Sequence, residues 1–165
     1  MPVKLSSYLW LRNNYLVPFT RGERDTGRYM KPEERAELKK IIDGIDELHG
    51  ISYSEQRNQP LVGPNVVLSG YTEIIERSSD PKRSGELFQR VHEILKDHLV
   101  DINVYRNLGG AFRELGIEPP EEIKIAIDYA TRQFDMPRWS GKRRDRMGAK
   151  YVIEDAQRQA SKERL

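Results

Sequence analysis

Cysteine is absent from the chain. Without it there is no disulfide framework, no thiol nucleophile and no thiolate metal site. Long apolar runs are absent too, and nothing approaches the ~18 residues a membrane helix needs. The opening Met1-Pro2-Val3-Lys4-Leu5-Ser6-Ser7 leads into no unbroken apolar stretch of the secretory-leader kind, because Arg12, Asn13 and Asn14 interrupt it. These absences give the expectation of a soluble, cytoplasmic protein without membrane contact. Sustained apolar–polar alternation is also missing. No Asn-Gly or Asp-Gly pair stands between alternating segments, and no internal repeat is found, which excludes a strand-built or solenoid architecture.

What the chain does have is charge. A third of the 165 residues are Asp, Glu, Lys or Arg, and mean hydropathy is −0.75. Leu, Ile, Val and Phe still make up about a quarter of the chain, above the roughly one-fifth at which folding fails, and the length suits one domain with one core. The net charge of +2 is uninformative, but its distribution is not. Residues 1–31 carry six basic and two acidic side chains, residues 32–137 thirteen and twenty, and residues 138–150 six and one. Two basic ends flank an acidic middle, a pattern that suits a polyanionic partner.

The apolar spacing predicts an all-α bundle of six to seven short helices. The first runs from a Ser6 or Ser7 cap through Tyr8, Leu9, Leu11, Tyr15 and Leu16, and Pro18 should stop it. A polar loop follows, with Arg21, Arg24 and Arg28. Pro32-Glu33-Glu34 opens a second helix with Leu38, Ile41, Ile42, Ile45 and Leu48 on one face. Val67, Leu68, Tyr71, Ile74 and Ile75 mark a third. Ser84 should cap a fourth, whose face is Leu87, Phe88, Val91, Ile94 and Leu95. The fifth carries Val104, Tyr105, Leu108, Ala111, Phe112 and Leu115. Its Gly109-Gly110 pair weakens the helix but admits a close neighbour, and Gly116-Ile117 reads as a left-handed cap. Pro119-Pro120-Glu121-Glu122 starts a sixth helix with Ile123, Ala126, Ile127, Ala130 and Phe134 on one side, closed by Met136-Pro137. The tail should be helical from about Arg143. Residues 1–137 are therefore expected to form a helical core with a basic loop at 18–31, and residues 138–165 a basic tail of the same domain.

Motifs of catalysis are missing. His92-Glu93 lacks the second histidine of a zinc protease helix, since Lys96 stands in its place. His49, His92 and His98 read as surface or partly buried residues. Asp43, Asp46 and Glu47 read as a solvated helix face. Gly141-Lys142 and Gly109-Gly110 lack the context of phosphate or dinucleotide loops. The expectation is a non-enzyme without cofactor or metal.

The most informative stretch is Arg138-Trp139-Ser140-Gly141-Lys142-Arg143-Arg144-Asp145-Arg146-Met147-Gly148-Ala149-Lys150. Arginine matches phosphate with a planar fork of donors, and aromatic rings stack on bases. Helical spacing would put Arg143 and Arg146 near Lys150, and Lys142 near Arg146. The candidate nucleic-acid contacts are thus Arg21, Arg24, Arg28, Arg138, Lys142, Arg143, Arg144, Arg146 and Lys150. The competing reading is a solvated basic helix, or one paired with the acidic middle. Trp10 and Trp139 read as core anchors.

The order of features in the last 80 or so residues resembles the small, all-helical subunit of CRISPR Cascade surveillance complexes. The helices at Leu87–Leu95 and Val104–Leu115 are followed by Gly116-Ile117-Glu118-Pro119, the Ile123–Phe134 helix and a Trp-x-Gly-Lys-Arg-x-x-Arg stretch at 139–146. Leu68-Ser69-Gly70-Tyr71-Thr72 departs from that family in having no arginine. The resemblance implies a non-enzymatic subunit, present in one or more copies beside other protein subunits, that holds nucleic acid by its backbone while a guide RNA reads sequence. A viral or phage coat or packaging protein with basic ends toward the genome is a second reading. A small helical enzyme or accessory subunit is a third.

Overall fold

The computed structural model describes residues 6–24, 26–27, 29–49 and 80–163. The expected helix at Val67–Ile75, the Leu68–Thr72 element and Arg28 lie outside these residues. The fold is all-α: α1 (Ser6–Leu11), a π-helical turn (Arg12–Leu16), α2 (Val17–Arg21), α3 (Pro32–Leu48), α4 (Pro81–Leu95), α5 (Ile102–Leu115), α6 (Glu121–Asp135) and α7 (Ala149–Glu163). A two-stranded antiparallel ribbon joins β1 (Leu99–Asp101) to β2 (Arg146–Gly148), with Val100 opposite Met147.

Pro18 does not end the first helix. The Val17 N–H reaches back to the Arg12 carbonyl, five residues away, and the chain stays helical through Arg21. Proline supplies no N–H to the carbonyl one turn back, and the Asn14 carbonyl is satisfied instead by Arg24 Nε at 2.5 Å. At the other end, the amides of Ser6 and Ser7 donate to the Glu114 carboxylate of α5 at 2.9 and 2.8 Å. The cap of α1 is thus tertiary, not the serine hydroxyl expected from sequence. Likewise Asp80, not Ser84, caps α4: its carboxylate accepts from Arg83 N at 3.0 Å. Ser84 is buried and hydrogen-bonded to His49 Nε2 at 2.8 Å.

The core draws on each of these helices. Tyr8, Phe88 and Phe112 form an aromatic line with centroids 5.6 and 5.5 Å apart, flanked by Leu38, Ile41, Ile45, Val91, Leu95 and Leu108. Both glycines of α5 are used for close packing. A Cβ on Gly109 would fall 2.7 Å from Ile127 of α6, and one on Gly110 would strike Ser7 of α1. Gly116 takes φ +70° and ends α5, with Ile117 N donating to the Phe112 carbonyl at 3.1 Å.

Asp46, expected on a solvated face, is interior, and the three histidines, expected at the surface or partly buried, are fully buried. Asp46 is buried against Arg12, whose Nη2 lies 2.8 Å away, and accepts from Tyr8 Oη at 2.8 Å. Burial pulls this carboxyl above the ordinary range, against the pull of Arg12. His92 and His98 are buried with Glu partners at 3.0 and 2.9 Å, Glu122 and Glu34. His49, also buried, has Nδ1 without a partner among the described residues, and desolvation lowers its pKa to about 4.

The carboxyl-terminal stretch is not helical from Arg143. Residues 146–148 are extended and the helix begins at Ala149, so Arg143, Arg146 and Lys150 do not share a helix face. Met147, Ala149 and Ile153 enter the main core.

Candidate nucleic-acid interface

The basic candidates fall into three settings. The first is the loop from Arg138 to Arg144. It begins as a 3₁₀ turn (Arg138–Ser140). Ser140 Oγ then accepts from Lys142 N at 3.2 Å, and Gln133 Oε1 of α6 accepts from Arg144 N at 2.8 Å. These bonds hold the backbone while leaving the side chains of Arg138, Lys142 and Arg144 outward. Arg138, Lys142 and Arg144 are exposed and make no ion pair among the described residues. Trp139 is 89% exposed, not a core anchor. Trp10 is half-buried against Tyr15.

The second setting is the ribbon. Arg146 is exposed and its Nη2 donates to the Leu99 carbonyl at 3.1 Å. Lys150 is exposed, 3.8 Å from Asp97. Arg143 is tucked in, with its side chain 13% exposed, Nε 3.0 Å from Asp145 and its guanidinium over the Phe134 ring at 5.4 Å. Phe134, placed on the core face by its spacing, is 40% exposed.

The third setting is the amino-terminal loop. Arg21 is exposed at the end of α2, and Arg24 lies over the Tyr15 ring at 4.2 Å while bonding the Asn14 carbonyl. This loop reaches β1 directly, since Leu99 N donates to the Thr26 carbonyl at 2.7 Å. Gly27, at φ +79°, lies so close that a Cβ there would come 3.1 Å from Leu99 N. The two basic segments, far apart in sequence, therefore flank the same strand.

Between them runs a row of arginines and rings that sequence reasoning missed at its centre. Tyr15, under Arg24, has its hydroxyl beside Asp101 and Asn103, and burial with the Asp101 charge raises its pKa. Arg106 Nη1 donates to Asn103 Oδ1 at 2.7 Å, and its guanidinium lies 3.3 Å from the Phe134 centroid, on the ring that Arg143 also covers. Burial pulls the Arg106 guanidinium below its ordinary range, with Arg143 acting in the same direction. It remains a cation at neutral pH. No basic run surrounds Arg106 in sequence, so only its contacts identify it.

One group among the described residues has metal-ligating side chains close together: His92, Glu93 and Glu122. Each already has a protein partner. His92 Nδ1 lies 2.7 Å from Tyr105 Oη and Nε2 lies 3.0 Å from Glu122, and Glu93 pairs with Lys96 at 2.8 Å. The group is accounted for as a buried polar network. No helix of the described residues is long and apolar enough to cross a membrane. The fold defines an all-α bundle with a ribbon at one end. No protein-family model, curated protein or solved structure matches the chain.

Proposed function

We propose that the chain is a non-enzymatic nucleic-acid-binding assembly subunit that grips DNA or RNA by its backbone within a larger ribonucleoprotein, such as an RNA-guided complex of the Cascade kind. The observation that carries this reading is the pinned Arg138–Arg144 loop, which holds three cations with no ion pair among the described residues around a solvent-facing Trp139. Unpaired arginines keep all their donors for phosphate oxygens, and an exposed indole offers a face for any base. The convergence of the amino-terminal loop on β1 supports the reading by extending the basic surface beyond that loop. Contacts of this kind position a backbone and do not read sequence.

The test is a binding titration of duplex DNA and of RNA at several salt concentrations, on the free chain and on its assembled complex. Replacing Arg138, Lys142 and Arg144 together with Ala should weaken binding for all sequences alike. It should also flatten the log-affinity versus log-salt slope by up to about three units on duplex. Stability should change little, because exposed charges contribute less than about 1 kcal/mol each. An unchanged slope in both settings overturns the reading.

A further inference from the structure

A second basic feature has the shape of a small-ligand site. Between the end of α2 and the start of α3 lies a cleft of about 270 Å³, with Phe19 and Met30 at its apolar base and Gly22, Arg24, Tyr29 and Arg35 around it. No carboxylate lines it among the described residues. Arg35 has no hydrogen-bond or ion-pair partner among those residues, and its Nε is buried. Its nearest acidic neighbour in sequence, Glu34, is occupied by Lys31 N at 3.0 Å and His98 Nε2 at 2.9 Å. Arg35 is nonetheless held in place. Its guanidinium lies 5.3 Å from the Tyr29 ring and against Gly22, where a Cβ would come 3.0 Å from Nη2. Arg24 is held too, through Nε on the Asn14 carbonyl and the Tyr15 ring, which leaves its Nη groups available.

Two positioned arginines without counter-charge among the described residues, one with a buried donor that meets no acceptor there, call for an anion with several oxygens. Tyr29, 68% exposed at the rim, adds a flat face for a planar ring. The volume sits near the lower bound of roughly 300 Å³ for ligand pockets, enough for a phosphate and its sugar with the base outside on the rim, but not for a run of strand. We propose that this cleft binds a nucleotide, its phosphate between Arg24 and Arg35 and its base on Tyr29. The occupant is either a free mononucleotide or the phosphorylated end of a strand. The site is separate from the Arg138–Arg144 loop, and either can fail alone.

The experiment is calorimetric titration of the full chain with adenosine monophosphate, adenosine, inorganic phosphate, and 5′-phosphorylated and 5′-hydroxyl hexanucleotides. Amide shifts at Gly22 and Gly27 should map the site. Adenosine monophosphate should saturate, with adenosine and phosphate each at least about tenfold weaker. Arg35→Ala and Tyr29→Ala should each weaken binding by about tenfold or more, with Arg35→Lys between, because the charge stays but the fork is lost. Arg138→Ala/Arg144→Ala should weaken both hexanucleotides alike while Arg158→Ala, at an exposed arginine of α7, leaves every affinity unchanged. Preference for the phosphorylated hexanucleotide over its hydroxyl form assigns a strand end, and equal hexanucleotides assign a free nucleotide. Absence of saturation overturns the proposal, as does retention of affinity in both Arg35→Ala and Tyr29→Ala proteins that melt like wild type. Should Arg35→Ala fail to fold, exposed Tyr29 and the amide shifts decide the matter.

Discussion

The Asp46 carboxylate accepts from Arg12 Nε and Nη2 and from Tyr8 Oη, all within the core. Replacing Asp46 with Ala removes the carboxylate that this buried guanidinium meets and should cost about 3–5 kcal/mol in urea unfolding. Converting Arg12 and Asp46 together to Met and Leu should recover most of that loss. His49 gives a pH signature of opposite origin. Its folded pKa, about 4, is depressed by burial from an ordinary value near 6.5, so the fold holds it neutral. Its contribution is complete above about pH 6.5 and is lost as pH falls toward 4, because the unfolded chain takes up a proton that the folded chain refuses. The loss should reach roughly 3 kcal/mol. Unfolding midpoints from pH 7 to pH 4 should fall less steeply for His49→Gln than for the wild type.

On the scale of elements, the Gly109-Gly110 pair sets how closely α1 and α6 approach α5. Alanine normally stabilises a helix interior by about 1 kcal/mol over glycine. At Gly110 the sign should reverse, with a loss of about 1–3 kcal/mol, because Ser7 cannot retreat while Glu114 holds the amides of Ser6 and Ser7. At Gly109 the obstacle is the Cγ2 of Ile127, a half-buried side chain with room to turn, so the loss should be smaller. Thermal melts of the two variants would check that order. The pair's packing role was legible in sequence, as were α3, α5, α6 and the Gly116 cap, because each is written in local spacing and chain-end chemistry. Pro18 was misread because its remedy, Arg24 on the Asn14 carbonyl, comes from outside the helix. The ribbon was invisible because three residues per strand carry no period, and its pairing depends on partners 45 to 49 positions away. Of the candidate site, the Arg138–Arg144 charges could be read directly. The burial of Arg143, the exposure of Trp139 and the part played by Arg106 are set by tertiary contacts.

For the molecule as a whole, the carboxyl-terminal segment is part of the core: Met147, Ala149 and Ile153 are buried, and β2 covers one edge of β1. Removing residues 146–165 should therefore abolish cooperative thermal unfolding or lower its midpoint sharply. Circular dichroism of the intact chain should show well over half helix, against a norm of about one-third. The ribbon also imposes an order in time. Chains emerge from the ribosome amino-terminus first, at about 5–20 residues per second. The loop that meets Leu99 through Thr26 is made before β1, whereas the Arg146–Gly148 partner strand is made after it. A nascent chain that has reached residue 137 already carries Arg24 and Arg106 but lacks Arg143 and the Arg138–Arg144 loop. Its basic surface is assembled only once α7 has folded behind β2, so a chain paused short of Arg146 holds the amino-terminal loop and Arg106 in place without the strand that pairs β1.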